Sequence, residues 1–255
     1  MAVGIISAIP EEYTRLEWDS EPRTEIIVNK IFKFGKMNGI DVIAAECGIG
    51  KVNAALTTGL LLGHFGCNSI AFSGVAGGLN PEYSLGDILI ASELVQHDYG
   101  AIVNGQLISS IPGSFPSLDD TDEDVAYVMP ERLKNAISNV VDEEVSFGRI
   151  ITGDTYLACE GTRKMFRKQF EADAIEMEGG AVAQVCCSWH VPFVIVRVLS
   201  DLAGAESQYE FEEFIGIFCS TSLSKNKSKG PKLIFNQLTH SLLIKVVQTN
   251  NNYKQ

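Results

Sequence analysis

Four groups of polar residues sit at the ends of short apolar runs in this chain. Glu11 and Glu12 follow the run at 3–6, Ser73 to Gly78 follow the run at 69–72, the triplet Glu176-Met177-Glu178 precedes a stretch of small residues, and Ser200-Asp201 closes the long run that begins at Val191. In an open α/β sheet, ligands bind beyond the carboxyl ends of the strands, so these are the positions where chemistry is to be sought. Carboxylates gathered at one rim, with backbone amides from glycine turns between them, suit a reaction in which positive charge develops on the substrate; glycosyl transfer is such a reaction. Each group taken singly has a plainer reading. A Glu-Glu pair after a strand is usually solvated. Glu176 and Glu178 can complement the positive end of the helix that follows, Asp201 can be a turn residue, and His97-Asp98 can be a satisfied surface pair. The glycines can serve close packing alone.

The elements that must position these residues are legible as an alternation of β-branched runs with longer amphipathic stretches, the pattern of an α/β sheet with covering helices. Strands are predicted at 3–6, 41–46, 69–72, 87–95, 146–151 and 191–201, with a tight turn at 74–78. Helices are predicted at 52–65, from Pro130 onward, and at 178–189. Residues 97–124, rich in Gly, Pro, Ser and Asp, read as a long loop acting as a lid or an interface. The polar segment 220–231 reads as a linker before a terminal apolar stretch at 233–247. The domain reading is one unit at 1–219 and a C-terminal segment at 220–255, packed on it or trailing from it.

Composition narrows the function. The 255 residues are 45% hydrophobic, enough for one large core, and a net charge of −12 repels a phosphate backbone, so DNA and RNA polymers are not expected partners. No apolar run reaches the ~18 residues of a membrane span, and Met1 to Ile6 lack the basic flank of a secretory signal; a cytoplasmic protein is expected. The six cysteines, scattered among apolar neighbours, show no zinc spacing, and neither metal nor cofactor is expected. Gly48-Ile49-Gly50-Lys51 resembles part of a P-loop, but Val52 stands where a Ser or Thr would hold magnesium; Gly74 to Gly78 lack the dinucleotide fingerprint, and no Gly-x-Ser-x-Gly elbow occurs.

Seven segments in order resemble the methylthioadenosine/S-adenosylhomocysteine nucleosidases, within the nucleoside phosphorylase superfamily, over about residues 3 to 216. They are Gly4-Ile5-Ile6-Ser7-Ala8-Ile9-Pro10-Glu11-Glu12, Cys47-Gly48-Ile49-Gly50-Lys51-Val52, Ser73-Gly74-Val75-Ala76-Gly77-Gly78-Leu79, Gly86-Asp87-Ile88, Thr152-Gly153-Asp154, Glu176-Met177-Glu178-Gly179 and Arg197-Val198-Leu199-Ser200-Asp201. The resemblance implies a three-layer α/β/α sandwich around a mixed, twisted sheet, a homodimer, and hydrolysis of the N-glycosidic bond of 5′-modified adenosines. It implies that Asp201 protonates N7 of adenine with Ser200 holding its carboxyl group, and that Glu12 takes a proton from the attacking water. On the same resemblance Glu178 would bind the ribose hydroxyls, with Met177 packing on the sugar, Arg197 steadying the carboxylates and Glu176 in the substrate site. By similarity Tyr156 would stack on adenine, Leu157 main-chain atoms would bind its edge, and Ile9, Ile49 and Gly77 would complete the pocket.

Phosphorylases of this superfamily hold phosphate with an arginine and a serine where this chain has Phe72 and Val75, and an apolar pair cannot bind a dianion. Water is therefore the expected nucleophile. The alternatives are a phosphorylase, a nucleosidase for another base, or a binding module without turnover; a binding module has no need of both an acid and a base. Val75 stands where the family often has serine, and Asn104-Gly105-Gln106 before Ile111-Pro112 replace residues that cover the 5′ group in the family.

Overall fold

The computed structural model describes residues 2–13, 16–116, 125–139 and 145–220. In chain order its first half comprises β1 (Val3–Ser7), α1 (Pro10–Tyr13), β2 (Arg23–Ile27), β3 (Lys30–Met37), β4 (Ile40–Glu46), α2 (Lys51–Gly59, continued by a π-helical turn Leu60–His64), β5 (Ile70–Gly78) and β6 (Ile88–Gln96). There follow β7 (Gly100–Val103), β8 (Gln106–Ser109), β9 (Ala126–Val128), α3 (Glu131–Ser138), β10 (Ser146–Thr152), α4 (Glu160–Phe170), β11 (Ala174–Glu176), α5 (Gly179–Ser188), β12 (Phe193–Asp201) and α6 (Ser207–Ser220).

The strands predicted from β-branched runs form the middle of one ten-stranded mixed sheet in the order β11-β10-β6-β12-β5-β1-β4-β3-β2, with β9 added to β6. β12, β5, β1 and β4 run parallel to one another, whereas β6 is antiparallel to β12. At one end the sheet curls until β11, already parallel to β10, meets β5 antiparallel, closing a circuit of five strands.

Side chains on a strand alternate faces, and β12 shows how this yields layers. Val194, Val196 and Val198 pack with Leu133 and Ile137 of α3 and with Phe214 of α6. Ile195 and Leu199 pack on the other side with Ala181, Val182 and Cys186 of α5 and with Ala54 of α2. The sheet is thus covered by helices on both faces, and its central strands carry continuous apolar runs because neither face meets water.

Three expectations need correction. The Gly74 to Gly78 segment is not a tight turn: β5 runs through it to Gly78, paired with β12 and β11. The 97–124 loop contains a hairpin, β7 and β8; residues 117–124 lie outside the described residues, as do the terminal stretch expected at 233–247 and the linker expected at 220–231 apart from Ser220, which ends α6. His97 is not at the surface. It is 4% exposed, with its ring against Phe166 and Phe170, and its Nε2 has no hydrogen-bond partner among the described residues.

Candidate active site

The first carboxylate is placed by a single turn of chain. β1 ends at Ser7, and Pro10 opens the short helix α1 at a position where its fixed φ suits the first turn. That turn folds Glu12 back on itself: its Oε2 accepts hydrogen bonds from the Ala8 and Ile9 amides at 2.9 and 3.3 Å, and its Oε1 accepts one from the Val75 amide of β5 at 3.1 Å. The side chain is buried, not solvated. Burial pushes its pKa from 4.5 up to about 7, against the lowering effect of Arg197 and the three amides.

The second cluster forms where β11 gives way to α5. Glu176 Oε2 accepts the amides of Glu178 and Gly179 at 3.0 and 2.7 Å, so this side chain does cap the helix as the plainer reading had it. The Thr152 hydroxyl donates to its other oxygen and in turn accepts the Gly180 amide at 2.7 Å. Glu178 points elsewhere, its Oε1 accepting the Gly50 amide at 2.9 Å. Arg197, fully buried on β12, lies with Nη2 2.5 Å from Glu176 Oε2 and 3.9 Å from Glu178 Oε2, its guanidinium 4.0 Å above the Phe72 ring. Burial raises the Glu178 pKa to about 7, helped by the charge of Glu176 and opposed by Arg197 and the Gly50 amide. Burial alone would lower the pKa of Arg197, but Glu176, Glu178 and Glu12 outweigh it and raise it.

The third carboxylate stands at the end of β12, where the pairing with β5 shifts register between Leu199 and Asp201. An irregularity of this kind re-aims a side chain, and Asp201 comes to lie opposite Gly77. Asp201 Oδ1 accepts the Ala203 amide at 2.8 Å and Oδ2 accepts the Ser200 hydroxyl at 3.0 Å. Burial raises its pKa above the ordinary 3.8, against those two hydrogen bonds.

These groups face one cavity of about 190 Å³. Glu12, Glu176, Glu178 and Arg197 line it together with Gly77, Ser200 and Asp201. Tyr156, Leu157, Met177, Ile9 and Ile49 supply much of the rest, so every position given a site role by the resemblance borders the same space, whereas Glu11, Ser73 and Gly78 of the polar groups do not. Phe211 of α6 and Thr155 also line it and were not nominated. The signal for Phe211 lay in the helical spacing of Phe211, Phe214, Ile215 and Phe218, which marks an amphipathic helix after Asp201. Phe72 is absent from the lining: its buried ring supports Arg197 from below, so only Val75 of the pair contrasted with phosphorylases faces the cavity.

Among the described residues no group of His, Cys, Asp and Glu is arranged to hold a metal ion, and no helix is long and apolar enough to cross a membrane. Cys47, Cys67 and Cys186 are buried free thiols, while Cys159 and Cys187 are exposed.

A mixed sheet with helices on both faces, and acidic groups at the strand ends around a buried arginine, define a class of small-molecule α/β enzymes. Comparison with known proteins narrows the class. The phosphorylase superfamily model matches residues 2–223. The 5′-methylthioadenosine/S-adenosylhomocysteine nucleosidase of Mycobacterium tuberculosis is 38% identical over 240 residues, covering 87% of this chain and 94% of that protein. Two solved Helicobacter pylori structures each superpose with a TM-score of 0.79 at 26% identity over 97% of this chain. One is futalosine hydrolase, 97% of which is covered, and the other is the methylthioadenosine/S-adenosylhomocysteine nucleosidase complexed with a substituted pyrrolidin-3-ol, 98% covered. The chain belongs to the phosphorylase superfamily and, within it, to the methylthioadenosine/S-adenosylhomocysteine nucleosidases.

Proposed function

We infer that this protein hydrolyses the N-glycosidic bond of 5′-modified adenosines, with methylthioadenosine, S-adenosylhomocysteine and 5′-deoxyadenosine as substrates, releasing adenine and the ribose derivative. The observation that carries the inference is the convergence of Glu12, Glu178 and Asp201, far apart in sequence, on one cavity, each with its pKa raised by burial. A raised pKa is what an acid or base working near neutrality requires.

In the mechanism this supports, Asp201 gives its proton to N7 of adenine as the C1′–N9 bond breaks, and Ser200 holds the carboxylate left behind. The sugar becomes oxocarbenium-like. Water then forms the new C1′–O bond and yields a proton to Glu12, whose fixed amide partners aim its carboxylate. Glu178 binds the ribose hydroxyls and stabilises the positive sugar electrostatically. Arg197 holds Glu176 and offsets part of the cost of burying Glu178, Met177 packs on the sugar, Tyr156 stacks on the base and Leu157 main-chain atoms meet its edge. No cofactor enters these steps.

Water is favoured over phosphate by charge. A dianion at the Glu12 side would meet three carboxylates against one arginine, and that arginine is already bound to Glu176. The Val75 amide that faces this side already donates to Glu12. The catalytic unit in this reading is residues 1–219, acting in the cytoplasm as a homodimer. The dimer is supported by exposed apolar residues around the start of α2, Val52 and Leu56 on the helix and Ile49 in the turn before it, with Ile49 also lining the cavity.

The test is adenine release from methylthioadenosine by the purified protein, with inosine and a futalosine-type nucleoside as competitors for the assignment. Release in phosphate-free buffer, unchanged by added phosphate, is expected; strict phosphate dependence overturns hydrolysis. Asp201→Asn is expected to lower kcat by roughly 10²–10⁴-fold, the ordinary worth of a general acid, with the fold retained by circular dichroism. Turnover at the unaltered rate removes Asp201 from the mechanism.

A further inference from the structure

Three residues that the reaction does not use, Lys51, Asp98 and Asp154, close a ring at the edge of the cavity. The Lys51 backbone amide donates to Asp154 Oδ1 at 2.8 Å, the Asp154 amide donates to Asp98 Oδ2 at 3.0 Å, and the Lys51 ammonium donates to Asp98 Oδ1 at 2.5 Å. Each residue comes from a separate part of the chain: Lys51 opens α2, Asp98 follows β6 and Asp154 follows β10. The Lys51 and Asp98 side chains are only 18% and 29% exposed, so water screens this pair less than it would a pair at the open surface.

The ring's neighbours give it meaning. The residue before Lys51 is Gly50, whose amide donates to Glu178 Oε1. The residues after Asp154 are Thr155, Tyr156 and Leu157, which line the cavity. Two consecutive amides of one turn are therefore divided between two carboxylates, Gly50 to Glu178 and Lys51 to Asp154. Gly50 has φ 98°, and a Cβ there would lie 3.2 Å from Asp154 Oδ1, so a glycine is what lets this turn take its shape beneath the carboxylate.

We propose that the ring is a positioning device of the active site: Asp154, braced by Asp98 and Lys51, holds the Gly50 amide on Glu178 and the 155–157 loop beside the base in one register, coupling recognition of the sugar to recognition of the adenine. The proposal rests on the roles given above to Glu178 and Tyr156. A staple serving stability alone would not touch the ionisation of Glu178. The charged and titratable groups facing Glu178 are Glu176 from β11, Arg197 from β12, Glu12 from α1 and the Cys47 thiol beyond β4. The Gly50 amide is the neutral donor among them, and its hydrogen bond favours the carboxylate. Freeing that amide shifts the ionisation of Glu178 to higher pH.

The experiment measures kcat/KM for adenine release from methylthioadenosine across the pH range in the full chain and in Asp154→Ala, Asp154→Asn and Lys51→Met. Asp154→Ala is expected to lower kcat/KM about tenfold or more and to move the ascending limb of the profile to higher pH. Asp154→Asn keeps an oxygen that accepts the Lys51 amide and is expected to hold kcat/KM within about threefold of the parent, with the limb in place. Lys51→Met is expected to act in the same direction as the alanine variant, more weakly. A loss of activity with the limb unmoved, or a change under about twofold in Asp154→Ala, overturns the proposal; if that variant does not fold, Lys51→Met decides by the same limb. Should the parent release no adenine, it is the functional reading that fails. The ring is then judged by hydrogen exchange, where Asp154→Ala must speed exchange at Gly50 and at 155–157 together, and acceleration of one segment alone refutes the coupling.

Discussion

At the scale of single residues, the Glu12 carboxylate accepts three backbone N–H groups and still titrates at about 7, so the cost of burying its charge exceeds what those amides and Arg197 return. This has a consequence for stability. A carboxyl group whose pKa rises from 4.5 to about 7 on folding binds its proton more tightly in the native state, so it leaves stability unaffected below pH 4.5 and lowers it as pH rises to 7 and beyond. The loss is complete above the folded pKa and amounts to roughly 3 kcal/mol. Glu12→Gln removes this dependence while Glu178 contributes one of the same sign in both proteins. Between about pH 5 and pH 8, where about 2.5 kcal/mol of that loss falls, the melting temperature of the parent is therefore expected to fall relative to that of Glu12→Gln by roughly 5–10 °C, at about 2–4 °C per kcal/mol for a chain of this size. Parallel melting curves across that range count against the burial argument. The residue types at Glu12, Glu178 and Asp201 were readable in the sequence, but their burial was not. A Glu after a strand looks the same whether it faces water or folds back onto its own turn, and that choice depends on Val75, a neighbour 63 positions away.

At the scale of elements, β5 explains why the glycines near the site are needed and where the sequence misled. A run of glycines after an apolar strand reads as a turn, because glycine is the default residue for one. Here the strand continues, and the glycines clear room for buried side chains: a Cβ at Gly74 would lie 2.6 Å from Arg197 Nη1 and 3.1 Å from Glu12 Oε1. Arg197 cannot step aside, being held by Glu176 and seated on Phe72. Gly74→Ala is expected to cost about 1–3 kcal/mol through overpacking and to lower kcat/KM by about 10²-fold by displacing both groups. Gly59 at the end of α2 has helical dihedrals, and a Cβ added there would meet nothing within 4 Å. Gly59→Ala is therefore expected to stabilise by about 0.5–1 kcal/mol without changing turnover. Chemical denaturation paired with the adenine assay checks both, and similar effects at the two positions would contradict the steric account. The long strands β5, β6 and β12 were legible because burial on both faces leaves continuous apolar runs. The β2–β3 hairpin and α4 were passed over: Lys30, Lys33 and Lys36 interrupt the apolar residues of β3, and α4 has only three large apolar residues, Met165, Phe166 and Phe170, among its charged and polar ones.

At the scale of the whole molecule, the sheet's closure through β11 was not legible, since a three-residue strand carries too little pattern to announce that it bridges β10 and β5. That closure nevertheless sets the site, because it brings Glu176 and Glu178 to Arg197 and to the end of β12. One open side remains. Val52 is 79% exposed on α2, with Leu56 one turn on and exposed Ile49 in the turn before the helix, and Ile49 also lines the cavity. An apolar patch that continues into a binding site is the surface expected of a subunit contact that completes the pocket. Sedimentation equilibrium is expected to show a dimer for the parent at micromolar concentration and a monomer for Val52→Glu, since a buried charge facing its own symmetry copy without a partner is strongly unfavourable. Because Ile49 is both exposed beside α2 and part of the cavity lining, the monomer is also expected to show a raised KM for methylthioadenosine with a smaller change in kcat, the mark of lost ground-state binding. A parent that sediments as a monomer, or a monomeric Val52→Glu with unaltered KM, separates the site from the patch and leaves each pocket complete within one chain.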